Sequence, residues 1–264
     1  MGAESHSTLP AIERGKGRPV VFLHGYPLSH EIWQPQLETL STRHRVVLLD
    51  LPGYGLAQEW PVPDSLSGCA EIVHRTLARR FASPVVVVGH SFGGYVALEL
   101  FRNHPEQFQA LVLTNTRSEP DGAEAREKRL ATAKRLEDPS QGLDVEETAR
   151  GLLSPKTWEG AGPLPETVRR IVRNVPSRTI IGTLKAIAGR ADLTPVLSTI
   201  YVPALVVWGE EDRLIPPAQS RSMVARVRGS SGVGIPEAGH LPSLEAPETF
   251  ARAMDELLGR LSPP

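Results

Sequence analysis

The sequence predicts an α/β fold with a mostly parallel sheet that helices cover on both faces. Short apolar runs rich in valine, isoleucine and leucine recur along the chain, as is typical of strands buried on both faces. Helical patterns separate most of these runs, and strands that alternate with helices form parallel sheets. The predicted strands, of which the first is a short edge strand and the last a weak one, are 11–14, 20–23, 45–50, 85–88, 110–115, 204–208 and 233–235.

The composition is that of an ordinary globular protein: 264 residues, 40% hydrophobic and 22% charged. This length predicts one large domain, with or without an insertion. The net charge of −1 argues against a nucleic-acid or membrane surface as partner. The only cysteine, Cys69, excludes an intrachain disulfide and a cysteine-based zinc cluster. Since no secretory leader, myristoylation pattern or apolar run of about 18 residues is found, we expect a cytoplasmic protein.

One stretch carries most of the chemical information. The valine run 85–88 is followed directly by Gly89-His90-Ser91-Phe92-Gly93, and helix-forming residues continue from Tyr95. Ser91 is therefore predicted at a sharp strand-to-helix turn, at the carboxyl end of the sheet and above a helix N-terminus that stabilises negative charge. The pentapeptide alone is also common in ordinary turns, so the interpretation depends on partners elsewhere in the chain.

A serine nucleophile needs a base and a group that orients the base. His240 is the only histidine after His104 and lies in a glycine-bearing loop after the last predicted strand, so it is the predicted base.

Asp212 is the predicted acid, because its loop begins where the strand 204–208 ends. Other carboxylates near strand ends remain as alternatives: Glu210, Glu211, Asp192, Glu119 and Asp121.

An oxyanion on the reacting carbonyl needs two hydrogen-bond donors. The backbone N–H groups of Phe92 and Tyr26 are the predicted donors, because Pro27 has none. His24 and His90 are interpreted as residues that brace loops. The remaining histidines are predicted to have no chemical partner and no specific role; they are His6, His30, His44, His74 and His104.

The alternation of strands and helices stops between 116 and 190, where helical patterns are broken by prolines and glycines. This size is typical of a lid. We predict a core domain from 1–115 and 191–264, and a helical cap subdomain from 116–190. Apolar cap residues, Trp158 among them, are expected to line a pocket for a small apolar acyl or aryl group.

Five segments together resemble the α/β-hydrolase fold superfamily along nearly the whole chain. They are 24–27, 50–55, 89–94, 209–212 and 239–240. The resemblance implies that Ser91, Asp212 and His240 form a catalytic triad, and that the helical cap is inserted after strand 6 of the family's sheet. The strands before Val20 look shortened relative to the usual eight-stranded sheet.

Within the superfamily, segments 186–193, 201–207 and 238–245 are similar to the 3-oxoadipate enol-lactonase and carboxylesterase group. The front segment 24–29 also resembles cofactor-free perhydrolases, which usually carry a smaller residue than Phe92 after the nucleophile. Haloalkane dehalogenases use an aspartate where this chain has Ser91.

We therefore expect a serine carboxylic-ester hydrolase of the EC 3.1.1 type that acts on small esters through an acyl-enzyme, without a metal or organic cofactor. The expected partner is a small-molecule ester or lactone, with no nucleic acid and no membrane; the oligomeric state is not predicted. Enol-lactonase, perhydrolase and carbon–carbon bond hydrolase activities remain alternatives that use the same triad. A ligand receptor on this fold is a fourth, non-enzymatic alternative.

Overall fold

The computed structural model describes residues 8–262, and a seven-stranded sheet lies at its centre. The strands lie in the order β1-β3-β2-β4-β5-β6-β7, in which β1 is antiparallel to β3 and all other neighbours are parallel. The α/β prediction is confirmed, including the short edge strand. The strands are β1 (Ala11–Arg14), β2 (Pro19–Leu23), β3 (Arg45–Leu49), β4 (Val85–His90), β5 (Phe108–Thr114), β6 (Ala204–Gly209) and β7 (Ser231–Ile235).

Helices follow most of the strands and form the outer layers. Those of the first half are α1 (Gln34–Leu40), α2 (Leu66–Arg80) and α3 (Phe92–Asn103). Those between β5 and β6 are α4 (Ala123–Arg135), α5 (Val145–Leu152), α6 (Pro155–Glu159), α7 (Leu164–Arg173), α8 (Ser177–Ala188) and α9 (Thr194–Leu197). Those of the last part are α10 (Pro217–Arg226), α11 (Pro242–Glu245) and α12 (Pro247–Leu258).

The central position of β4 explains its run of valines. Val85 and Val87 pack into one hydrophobic cluster, and Val86 and Val88 pack into a second cluster. Because successive side chains of a strand point to opposite faces, a strand with helices on both sides is apolar at every position. This burial holds the end of β4, and the turn after it, in a fixed place.

The chain from 116 to 190 contains α4 to α8, of which α4 packs on α8 and α5 packs on α7. This insertion follows β5 of the chain rather than a sixth strand, because the described sheet has seven strands and not eight. The sequence predicts helices in this insertion at 123–137, 145–153, 167–175 and 179–188. These boundaries agree with α4, α5, α7 and α8 to within about three residues, whereas the short helix α6 was not predicted.

The sequence predicts Ser67 as the residue that caps α2, and this prediction is wrong. Ser65, and not Ser67, accepts a hydrogen bond from the Gly68 amide and caps the helix. The Ser67 hydroxyl donates instead to the Glu99 carboxylate on α3. Both serines can serve as caps by type, so only the path of the chain before the helix distinguishes them. Across the described residues, every helix is too short or too polar to cross a bilayer.

Candidate active site

Ser91 stands at the junction of β4 and α3 in a strained conformation, with φ 49° and ψ −113°. Its amide donates to the Thr114 carbonyl at 3.0 Å, which ties the turn to the end of β5. A methyl group on Gly93 would lie 2.5 Å from the Leu23 carbonyl oxygen, and one on Gly89 would lie 2.6 Å from the Gly93 carbonyl oxygen. The two glycines are therefore a steric requirement of this turn.

His240 and Asp212 form a buried pair. His240 Nδ1 lies 2.7 Å from Asp212 Oδ2, and both side chains are almost inaccessible to solvent. Burial raises the pKa of Asp212, but the charge and the hydrogen bond of His240 lower it by more. Hydrogen bonds from Ile215 and Asn115 add to the lowering, so the pKa of Asp212 is below its usual range. Asp212 is thus an ionised acceptor at neutral pH. It holds the His240 tautomer whose Nε2 is free to accept a proton.

Asn115 is a member of this network that sequence reasoning missed. Its Nδ2 donates to Asp212 Oδ2 at 2.7 Å and to the Gly239 carbonyl at 3.2 Å, and its oxygen accepts from the Thr114 hydroxyl. Its φ is +46°, in the left-handed region that asparagine tolerates better than most residues. The signal in the sequence was a polar residue at the end of the predicted strand 110–115, which does not by itself identify a partner.

A cavity of about 470 Å³ lies over this region between the sheet and the insertion. Ser91 and His240 both line it, together with Tyr26 and Phe92. The amide N–H groups of Tyr26 and Phe92 have no hydrogen-bond acceptor within residues 8–262, so both are available to a ligand. The Ser91 hydroxyl and His240 Nε2 are not hydrogen-bonded to each other in this structure.

The insertion supplies another wall of the cavity, which includes Leu152, Leu184 and Ile187. Apolar lining by the insertion was expected, but the expectation for Trp158 is wrong. That indole does not line the cavity; it packs against the second hydrophobic cluster and under the Arg169 guanidinium, 4.5 Å from the ring centroid. Three charged side chains, Lys128, Arg129 and Glu147, also line the cavity.

His24 and His90 brace loops. The Leu51 amide donates to His24 Nε2 at 3.0 Å, and His24 Nδ1 donates to the Gly25 carbonyl at 2.9 Å. His90 Nε2 donates to the His240 carbonyl at 2.7 Å. Burial first, and the neighbouring His240 second, lower the pKa of His90 to about 3, so this imidazole is neutral.

The prediction that His30 has no chemical partner is wrong. Its amide and its Nδ1 both donate to the buried Asp50 carboxylate, at 2.7 and 2.6 Å. Asp50 also accepts from the Leu56 amide at 2.8 Å. This carboxylate therefore organises the loop that follows β3, close to His24.

Three of the five alternative acids are engaged elsewhere. Asp121 pairs with Arg129 and Arg190, and Asp192 accepts from the Thr194 amide at the start of α9. Glu210 accepts from the Trp208 indole and from Arg221.

His74 and His104 also have partners, contrary to expectation. The His74 and His104 rings stack with their centroids 3.5 Å apart, and the potential ligand atoms of these two residues and Glu71 lie within 4.8 Å of one another. His6 lies outside the described residues. The ring planes differ by only 10°, so their in-plane lone pairs do not converge on a common point. The group lies at the far end of α3 from Ser91, and we assign it no cation.

Glu245 joins the His240 loop to the insertion. Its Oε1 accepts from the Gly239 and Leu241 amides at 2.8 and 3.3 Å, while its Oε2 accepts from the Ser154 amide and the Thr157 hydroxyl, both at 2.8 Å. The backbone on either side of His240 is therefore anchored through one carboxylate.

Known proteins resemble this chain in sequence and in fold. The model of the alpha/beta hydrolase family matches residues 20–253. The pimeloyl-[acyl-carrier protein] methyl ester esterase of Nitrosomonas europaea is 29% identical over 261 residues, which cover 92% of this chain and 96% of that protein.

Two solved structures have the same fold. An esterase from Thermogutta terrifontis, with malate bound, has a TM-score of 0.91 at 31% identity, covering 96% of this chain and 93% of the other. An enol-lactonase from Burkholderia xenovorans LB400 has a TM-score of 0.87 at 21% identity, covering 96% of each chain. The predicted resemblance to the enol-lactonase and esterase group is confirmed.

Proposed function

The chain belongs to the alpha/beta hydrolase family, and from this premise we propose that it is a serine carboxylic-ester hydrolase with Ser91, His240 and Asp212 as its triad. The observation that carries the proposal is the buried His240–Asp212 pair, 2.7 Å apart, which borders the same cavity as the strained Ser91. Relatives named as esterases support the ester bond as the one that is cleaved.

In the first half of the reaction, His240 Nε2 takes the proton of the Ser91 hydroxyl as its oxygen attacks the ester carbonyl. The amides of Tyr26 and Phe92 donate to the oxyanion that forms, an effect of about 3 kcal/mol for each donor. Protonated His240, stabilised by ionised Asp212, then gives its proton to the leaving alcohol. The products are the free alcohol and an acyl group on Ser91.

In the second half, His240 activates a water molecule that attacks the acyl carbonyl, and Ser91 regains its proton as the acid leaves. His240 acts as the base in its neutral form. Asp212 stays ionised beside it, since its pKa is below the usual range of a carboxyl group.

We propose that residues 116–190 act as the substrate-binding cap. The insertion contributes Leu152, Leu184 and Ile187 to the cavity, and the volume of about 470 Å³ suits a small ester.

The test is hydrolysis of p-nitrophenyl butyrate by the wild-type protein, with Ser91→Ala and Ser83→Ala alongside. We expect steady turnover that falls by about 10⁴-fold or more in Ser91→Ala, because the nucleophile is lost. Ser83 lies on an exposed turn before β4, so its alanine variant should keep full activity.

Equal activity of wild type and Ser91→Ala would disprove the assignment of the nucleophile. Absence of turnover in the wild type would contradict the esterase proposal, and assays with lactones and with peroxide plus a carboxylic acid would then test the other bonds. Mass spectrometry of the protein after a phosphonate inhibitor should show a single adduct on Ser91.

A further inference from the structure

The cavity contains a charged strip that the reaction at Ser91 does not use. Ala125, Lys128, Arg129 and Thr132 line the cavity from α4, at the spacing i, i+3, i+4 and i+7 of one helix face. Two cations therefore stand on the part of α4 that is turned to the ligand space.

Arg129 is held in place by a buried carboxylate. Its Nε donates to Asp121 Oδ2 at 2.7 Å, and the Asp121 side chain is only 1% exposed. Arg190, itself buried, lies 3.1 Å from the same carboxylate, and Arg117 also donates to it. Three guanidinium groups thus share one negative charge, so Asp121 orients Arg129 without neutralising it.

The two terminal nitrogens of Arg129 are free to bind a ligand. Nη1 and Nη2 have no hydrogen-bond acceptor within residues 8–262, and the side chain is 27% exposed and lines the cavity. A guanidinium that is fixed through Nε presents its two terminal nitrogens to a carboxylate end-on, in the bidentate geometry that arginine favours.

Arg129 shares its cavity with the reaction centre, because Arg129, Tyr26 and Ser91 all line it. The charge of Arg129 also acts on the Tyr26 phenol, whose pKa is raised by burial and lowered in part by Arg129. An anion on Arg129 would therefore belong to the molecule that Ser91 attacks.

The balance of charge favours a monoanion. Lys128 has no ion-pair partner within residues 8–262, and Glu147, the one acidic side chain of the lining, has none there either. Two positive charges and one negative charge leave a net charge of +1 on these lining side chains, which suits one carboxylate better than a phosphate dianion. Glu147 stands in the first turn of α5, where the helix N-terminus stabilises its charge.

We propose that Arg129 and Lys128 form a carboxylate-binding subsite, and that the natural substrates are esters that also carry a free carboxylate, such as half-esters of dicarboxylic acids. This proposal rests on the ester hydrolase function for its substrate class, but the binding of the carboxylate does not depend on turnover. It also replaces the expectation of a purely apolar acyl group.

The first experiment measures binding to Ser91→Ala by calorimetry, so that hydrolysis plays no part. Monomethyl half-esters from succinate to suberate are compared with the dimethyl esters of the same acids, since the chain length that spans Ser91 and Arg129 is best found by a series. We expect the best half-ester to bind at least tenfold more tightly than its diester, because a charge-assisted hydrogen bond changes affinity by about 10- to 100-fold.

The variants Arg129→Met and Lys128→Met, made in the Ser91→Ala protein, test which side chains are responsible. Each should reduce the preference for the half-ester by about fivefold or more, and together they should abolish it. Lys134→Met is the matched control, since Lys134 is an exposed cation of α4 that does not line the cavity, and it should leave the preference unchanged.

The second experiment measures kcat/KM of the active enzyme for the same pairs. Equal binding of half-ester and diester to Ser91→Ala would overturn the subsite, whatever the turnover. A preference that depends on Arg129, in a protein that hydrolyses neither ester, would support the subsite and contradict the ester hydrolase function. A preference that persists in both methionine variants would also overturn the proposal.

Discussion

Buried polar side chains around His240 form a network of specific hydrogen bonds, in which His90 Nδ1 has no partner within residues 8–262. Asp212 receives His240 Nδ1, Asn115 and two backbone amides, while His90 binds the His240 carbonyl. Such a network holds His240 and Asp212 in fixed positions. Removal of one member leaves a buried polar group unpaired, which lowers the stability of the protein by about 1–3 kcal/mol.

The pH dependence of stability should reveal the neutral state of His90. Its folded pKa of about 3 lies below its ordinary value of 6.5, so between these values the unfolded chain binds more protons than the folded protein. Stability from this group is therefore complete above pH 6.5 and is lost as the pH falls, by up to about 1.4 kcal/mol per pH unit. We expect His90→Gln, which keeps a donor for the His240 carbonyl but cannot titrate, to reduce this slope between about pH 4 and 6.

Urea unfolding of His90→Gln and wild type at several pH values checks this expectation. An identical slope in both proteins would contradict the buried neutral imidazole. Asp212 contributes in a lower window, because a carboxyl group with a depressed pKa loses its stabilisation only as the pH falls through that pKa.

Sequence reasoning identified Ser91, Asp212 and His240 as candidates, but it did not identify Asn115 or Glu245. The first three stand at strand ends within recognisable motifs. Asn115 and Glu245 act through contacts with segments 97 and 91 residues away, respectively, which no local pattern reports.

At the scale of elements, the junction of β4 and α3 depends on close backbone approach. Gly93 lies against the end of β2, and Gly94 lies against the Thr116 side chain, where an added methyl would stand 2.5 Å from Oγ1. The turn that presents Ser91 is thus packed on two other segments of the sheet.

Gly93→Ala should destabilise the protein by about 2 kcal/mol and abolish most activity, because its methyl would collide with the Leu23 and His24 carbonyl oxygens, which are backbone atoms. Gly142→Ala is the control: nothing lies within 4 Å of an added methyl there, so stability should change by less than about 1 kcal/mol. Thermal unfolding and p-nitrophenyl butyrate turnover of both variants provide the measurements. Full activity in Gly93→Ala would show that the turn is less constrained than its geometry indicates.

The elements themselves were largely predictable, since buried parallel strands are apolar throughout and surface helices repeat every 3.6 residues. The start of α2 was not, because two serines near its start can each cap a helix. The short helix α6 begins at Pro155 in a stretch with few apolar residues, where periodicity carries no signal.

At the scale of the whole molecule, the insertion and the His240 loop behave as one structural unit. The His240 amide donates to the Leu152 carbonyl at 3.1 Å, and Glu245 accepts from Ser154 and Thr157 as well as from the loop. A change in the contact between the insertion and the His240 loop should therefore alter the position of the His240 imidazole.

Glu245→Gln should lower kcat/KM by about tenfold and stability by about 1–3 kcal/mol, because an amide group has one acceptor oxygen for the four donors that the carboxylate now satisfies. Glu237→Gln is the matched control, since Glu237 joins the same loop to Lys156 of α6 through an exposed ion pair. Exposed pairs contribute little, so this variant should resemble wild type. Equal effects of the two substitutions would refute a special role for Glu245.

By itself, the sequence determined the fold class, the motif order and the candidates Ser91 and His240, with Asp212 preferred among several carboxylates, because these depend on local patterns of apolar residues and on short motifs at strand ends. Only the tertiary structure decided which carboxylate pairs with His240, that Asn115 and Glu245 support it, and that Lys128 and Arg129 stand in the cavity. On the sequence alone, those two cations belong to a charged helix with few large apolar residues. Their place in the cavity follows from the packing of α4 on α8, since the direction in which a helix face points is set by distant contacts and not by neighbouring residues.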